Sequence, residues 1–199
     1  ELDSSRGCSI TNCTISYIEN NGIRMSGDED CEVFNCVIIN CEAGIDLSDS
    51  VHCNITNCMI INSSCGVSLH YSEYIGLVNC TIFNSTFSGV MVGDLQHSII
   101  ANCTILKGFE GIYMWSSHYC NITGCVFINL TCPLELYDCY NGLIYLNDFI
   151  NFDYFTISST NYTWYSPSLA VYSYEGKRHI SHLGNYYSEY SGADVDNNG

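Results

Sequence analysis

A cysteine returns every 22 or 23 residues through most of this chain, at Cys13, Cys36, Cys58, Cys80, Cys103 and Cys125, and Asn147 takes the next beat. A fixed period of this length marks a solenoid, in which each repeat buries its apolar side only against its neighbours. The flanking positions keep the same time. Asn12, Asn35, Asn57, Asn79 and Asn102 precede the cysteine, and Ile15, Ile38, Ile60, Ile82, Ile105 and Phe127 follow it by two.

Each repeat carries three short apolar stretches. The first holds Ile10, Val33, Ile55, Leu77, Ile100 and Ile122, the second is the Ile15-to-Phe127 column, and the third reads Ile23/Met25, Ile45/Leu47, Val67/Leu69, Val90/Val92, Ile112/Met114 and Leu134/Leu136. Apolar positions alternate within each stretch, which is strand periodicity. Three strands per coil of about 22 residues, each pairing with its copy one coil along, describe an all-β parallel β-helix. Gly22, Gly44, Gly66, Gly89 and Gly111 precede the third strand, where a sharp turn is expected. Asn40, Asn62, Asn84, Asn129 and Asn151 predict a second ladder of stacked amides, broken at Lys107.

Past about residue 151 the period fades and aromatic residues take over, among them Tyr154, Tyr162, Trp164, Tyr165, Tyr172, Tyr174, Tyr186, Tyr187 and Tyr190. An open coil end needs a cover. The expected organisation is a β-helix of about seven coils over 1–151 and a Tyr-rich C-terminal cap over 152–199 of the same domain. An aromatic sugar-binding platform is the alternative reading of that tail.

Five Lys and Arg stand against 21 Asp and Glu, a formal charge of −16, which disfavours nucleic acid and anionic membranes as partners. Fourteen cysteines in 199 residues suit an oxidising exterior, so the protein is expected outside the cell, at its surface. No apolar run reaches the roughly 18 residues of a membrane span. The chain opens on Glu1 without a basic-then-apolar leader, as expected of a processed form or a fragment. Asn54, Asn62, Asn84, Asn121, Asn129 and Asn161 head candidate glycosylation sequons. Those at Asn12, Asn79 and Asn102 have in their middle position a Cys of the column expected to be buried.

The rung Ser116-Ser117-His118-Tyr119-Cys120-Asn121-Ile122-Thr123-Gly124-Cys125-Val126-Phe127 resembles the S-S-x-x-N-x-I-x-G-N-x-F repeat of the NosD-like family. The run Leu183-Gly184-Asn185-Tyr186-Tyr187-Ser188-Glu189-Tyr190-Ser191-Gly192-Ala193-Asp194 is similar to that family's closing segment, G-N-Y-W-S-D-Y-x-G-x-D. The resemblance implies a right-handed parallel β-helix related to carbohydrate-binding and sugar-hydrolase modules, with many members in archaeal surface proteins. Two departures stand out: cysteine replaces the family's usual inward asparagine, and the chain stops at Asp194-Val195-Asp196-Asn197-Asn198-Gly199 where relatives continue an acidic run. The copper role of the family's namesake does not transfer by name alone.

Residues one period apart have Cα atoms about 4.8 Å apart, inside the disulfide window of roughly 4.4 to 6.8 Å. Bridges between coils are therefore expected within a structural cysteine ladder of two columns: Cys8, Cys31, Cys53 and Cys120, and Cys13, Cys36, Cys58, Cys80, Cys103 and Cys125. Pairings such as Cys13 with Cys36, Cys58 with Cys80 and Cys103 with Cys125 fit; a column of buried free thiols is the alternative. Cys41, Cys65, Cys132 and Cys139 fall outside these columns, near turns, and are candidates for links between molecules.

No enzyme is expected. The bases Arg6, Arg24, Lys107, Lys177 and Arg178 are too scattered for a polyuronate lyase, and the acidic run Asp28, Glu29, Asp30 and Glu32, with Glu42, Asp46 and Asp49 one coil along, reads as a solvated turn. No cofactor is expected either. Asp194, Asp196 and Asn198 have the alternating oxygens of a calcium loop, and copper is disfavoured, with His179 and His182 the one close histidine pair and His52 and His97 held apart by Tyr74. The expectation is an extracellular structural protein, self-associating with itself or with other envelope proteins and glycans in a surface layer or sheath and reinforced by disulfides. The alternatives are a neutral-glycan-binding β-helix module and a NosD-like periplasmic copper-handling protein.

Overall fold

The computed structural model describes residues 1–174 and 177–188 and is a parallel β-helix, with three ladders of strands running the length of the stack. The first ladder stacks Ser9–Thr11, Glu32–Phe34, Asn54–Thr56, Gly76–Val78, Ile99–Ala101, Asn121–Thr123, Tyr140–Tyr145 and Asn161–Thr163. Thr14–Ser16, Val37–Ile39 and Met59–Ile61 begin the second; Leu2–Asp3, Ile23–Ser26, Ala43–Ser48 and Cys65–His70 begin the third. Three long strands, Thr81–Gly93, Thr104–Trp115 and Val126–Tyr137, then bend through the corner and serve both. Beyond residue 151, Thr156–Ser158 and Tyr186–Tyr187 add further rungs, and Ala170–Tyr174 pairs antiparallel with Lys177–Ser181 as a hairpin. Among the described residues no helix is long and apolar enough to cross a membrane.

The register explains the sequence period. Ile60, Ile82, Ile105 and Phe127 stand one above another, as do Leu47, Leu69, Val92, Met114 and Leu136, all at 1% exposure or less. Corners between strands lie in the left-handed region, which Asn and Asp tolerate better than other side chains. Asn12, Asn35, Asn57, Asn79 and Asn102 have φ between 52° and 55°, and the second asparagine ladder has the same geometry. There Asn84 Nδ2 donates to Asn62 Oδ1 at 2.8 Å and Asn151 Nδ2 to Asn129 Oδ1 at 3.1 Å. Lys107 keeps the corner, at φ 56°, but places its ammonium 5.3 Å from the centre of the Phe83 ring.

The glycine column has a different cause from the turn expected of it. None of Gly22, Gly44, Gly66, Gly89 and Gly111 has positive φ; instead a Cβ on Gly44 would meet the Gly66 carbonyl oxygen at 2.6 Å and Ile60 Cγ2 at 2.5 Å. These glycines let successive coils approach over the isoleucine column.

The expected disulfides are not formed: all fourteen cysteines are free thiols. Each ladder thiol donates to the carbonyl two residues back, as Cys58 does to Thr56 and Cys103 to Ala101, both at 3.4 Å. Cys58, Cys80, Cys103 and Cys125 also reach a carbonyl of the preceding coil, at Val33, Ile55, Leu77 and Ile100. The neighbouring thiol pushes Cys80 and Cys103 up to about 12, and burial pushes Cys120 to about 12 and Cys53 to about 11. Such protonated thiols act as small apolar residues with a weak donor. Cys8 and Cys13, in the first coil, are half-buried. Cys41, Cys65, Cys132 and Cys139, expected to link molecules, are instead buried at 0 to 7% exposure, out of reach of a second chain.

Candidate functional site

Where the third ladder packs its alternate residues inward, the intervening ones form one outer face. In register these are Ser68, Met91, Tyr113 and Glu135, and beside them His70, Gly93, Trp115 and Tyr137. Gly93 has no side chain, and the Trp115 indole lies in the space above it: a Cβ there would fall 2.3 Å from Trp115 Cζ2. The indole stands 5.4 Å from the His70 ring and 5.1 Å from the Tyr113 ring, centre to centre. Tyr113 in turn meets Tyr137 and Phe87 edge-on, at 6.1 and 6.5 Å. Half-buried aromatic surface therefore runs across four successive coils, about 14 Å at three steps of the ordinary strand spacing.

Two carboxyl groups border these rings. Glu110 occupies the place that Ser88 and Cys132 hold in the coils either side, is 5% exposed, and accepts a hydrogen bond from the Ser88 hydroxyl. Glu135 stands close enough for its charge to act on Glu110, and Glu135 Oε1 accepts from the Tyr137 hydroxyl at 2.7 Å. Burial, with the Glu135 charge adding to it, raises Glu110 above the usual carboxylate range, so Glu110 holds its proton more tightly. Tyr137 is pushed up to about 12 by its bond to Glu135. Burial also lowers His70, against the opposing pull of Asp46 and Asp94. Among the described residues neither Glu110 nor Glu135 has a Lys or Arg at ion-pair distance. Rings that offer flat apolar faces beside carboxylate acceptors are equipped to stack on a sugar and take hydrogen bonds from its polar groups.

The residues singled out from sequence lie elsewhere. In the acidic run, Asp28 is buried and accepts from the Ser5 amide, while Arg6 pairs with Glu29 at 3.1 Å and Asp30 at 3.4 Å. His52, Tyr74, His97 and Tyr119 stack at successive separations of 4.8, 5.2 and 4.8 Å, so the histidines serve a ring column at a left-handed corner. His179 stacks on Tyr172, and His182 Nδ1 lies 2.6 Å from the Ser166 carbonyl oxygen. In the tail, Tyr162 is buried with its hydroxyl 3.5 Å from Met114 Sδ, and Trp164 and Tyr187 pack on the core; Tyr165, with Leu169 and Ile180, lines a shallow groove. The sequon residues Asn54, Asn62, Asn84, Asn129 and Asn161 are exposed and Asn121 is half-buried. Asp194, Asp196 and Asn198 lie outside the described residues. The aromatic face escaped the sequence reading, although its signal was there: in the same period, His70, Gly93, Trp115 and Tyr137 share a column.

The model of the family described as "Periplasmic copper-binding protein (NosD)" matches residues 1–192. No curated protein matches the sequence. Among solved structures, the chain is similar to PfbA, a surface adhesin of Streptococcus pneumoniae, with a TM-score of 0.57 and 10% identity over 94% of this chain and 70% of the adhesin. It is also similar to ORF18 of Geobacillus virus E2, with a TM-score of 0.52 and 11% identity over 87% of this chain and 45% of that protein. At such identities these likenesses concern the fold.

Proposed function

Since the chain belongs to the NosD family of β-helix proteins, we propose that it is a carbohydrate-binding module working outside the cytoplasm, with the face around Trp115 as its binding surface. The observation that carries this reading is the indole seated over Gly93 and continued by Tyr113, Tyr137 and His70. A linear glycan lying along the solenoid axis meets one ring-bearing coil about every 4.8 Å, close to the length of a sugar unit. The family's periplasmic description and the adhesin among its structural neighbours support an extracytoplasmic setting.

Copper does not fit the side chains present. The inward thiols are bound to main-chain carbonyls, and Met25 and Met114 are fully buried in the core. His52 and His97 are separated by the Tyr74 ring. Among the described residues no group of three or more His, Cys, Asp and Glu is placed to hold a metal.

A glycan array probed with the parent protein and with Trp115→Ala tests the proposal. Binding to at least one glycan class, weakened about tenfold or more in the variant with its melting temperature retained, is the expected outcome. An array blank for the parent protein removes the reading.

A further inference from the structure

We infer that the aromatic face selects amine-bearing sugars over neutral and acidic ones. The inference rests on the carbohydrate-binding reading above and adds the ligand's charge to it. It starts from Glu135, paired in register with Tyr113 and hydrogen-bonded by Tyr137, and from the buried Glu110 bonded to Ser88, two carboxyls beside a Trp–Tyr surface.

The bases of this chain are committed elsewhere. Arg6 and Arg24 pair with Glu29, Asp30 and Glu1 near the first coils, Lys107 lies over Phe83, and Lys177 and Arg178 sit in the terminal hairpin. The other charged groups bearing on the face, Asp46 and Asp94, are acidic. A uronate meets only like charge here. A neutral sugar can donate hydroxyl hydrogens to Glu135 but compensates neither carboxyl. A sugar ammonium supplies up to three donors and the missing positive charge.

The geometry suits such a ligand. Glu135 is half-buried and is already oriented by the Tyr137 hydroxyl at 2.7 Å, so a carboxylate oxygen is held at the edge of the ring surface. Glu110, one coil earlier, is 5% exposed and accepts from the Ser88 hydroxyl, so its carboxyl is shielded from solvent. An ammonium at Glu135 also falls near the Trp115 and Tyr113 rings, whose faces attract cations. A cation there favours loss of the Glu110 proton, so the buried carboxyl strengthens the charge selection.

Calorimetric titration with three oligosaccharides of equal length tests the inference: oligomers of glucosamine, of N-acetylglucosamine and of galacturonate, at a pH where the amine is charged. The parent protein, Glu135→Gln and Trp115→Ala are compared, with melting curves confirming that each is folded. The expected result is glucosamine binding about tenfold or more tighter than N-acetylglucosamine, with no galacturonate binding. Glu135→Gln should erase that preference while leaving N-acetylglucosamine binding in place, and Trp115→Ala should weaken both. Equal affinity for the amine and its acetylated form, or a preference untouched by Glu135→Gln, overturns the charge selection and leaves the carbohydrate-binding reading standing. Failure of all three oligomers together with a blank array overturns both.

Discussion

Asn185 Oδ1 accepts hydrogen bonds from both the backbone N–H and the side-chain Nδ2 of Asn147, each at 3.0 Å. Asn147 itself stands on the cysteine beat, accepting from the Cys125 amide at 2.9 Å and donating to the Ile122 carbonyl at 2.9 Å. Asn185 repeats the pattern one rung on by donating to the Ile144 carbonyl at 2.9 Å, and Tyr187 extends the ring stack of Phe127 and Phe149. The Gly184-Asn185-Tyr186-Tyr187 run is thus the next rung of the inward ladder, reached after the hairpin.

Asn147 is fully buried and links three rungs, so Asn147→Ala should lower unfolding free energy by about 3 kcal/mol. Cys103→Ala, which removes a thiol with weaker hydrogen bonds, should cost about 1 kcal/mol. Urea unfolding of both variants checks the order; a larger loss at Cys103 contradicts it.

Gly66→Ala places a Cβ 2.4 Å from the Gly89 carbonyl oxygen and 2.5 Å from Ile82 Cγ2. Neither neighbour is a flexible chain end, and a loss of about 2–3 kcal/mol is expected. Gly184→Ala meets nothing nearer than 3.9 Å and should change stability by less than about 0.5 kcal/mol.

Thiol titration without reductant should find all fourteen cysteines reactive in denaturant. In the native protein Cys8 and Cys13 should react first, since the other twelve are buried. A denatured count short by two or more indicates bridges.

Glu110 titrates higher in the folded chain than its ordinary value of 4.5. Between that value and its raised native one, the folded state binds the extra proton, so stability falls as pH rises through the window. Glu110→Gln removes the loss: its melting temperature should exceed the parent's at neutral pH, and the gap should narrow toward pH 4. A constant gap across that range contradicts the assignment.

The period of Cys13 to Cys125 made the coil, the ladders and the inward columns legible, because a repeated apolar position has one place to go in a solenoid. The state of the thiols was not legible. A Cα spacing of about 4.8 Å permits either a bridge or a thiol stack, and the choice depends on where each sulfur finds its carbonyl. Outward positions obey no such constraint, which is why Trp115 was hidden: its role depends on Gly93 being empty one coil earlier, a relation between columns rather than along one. Glu110 was hidden in the same way, since Ser88 and Glu135 become its partners only through stacking.

The most direct measurement is a crystal structure of the protein with the oligosaccharide that binds it most tightly. Sugar rings are expected over Trp115 and Tyr113, with a polar group at Glu135. Sugar found only at the groove of Tyr165, Leu169 and Ile180, with the Trp115 face bare, would contradict it.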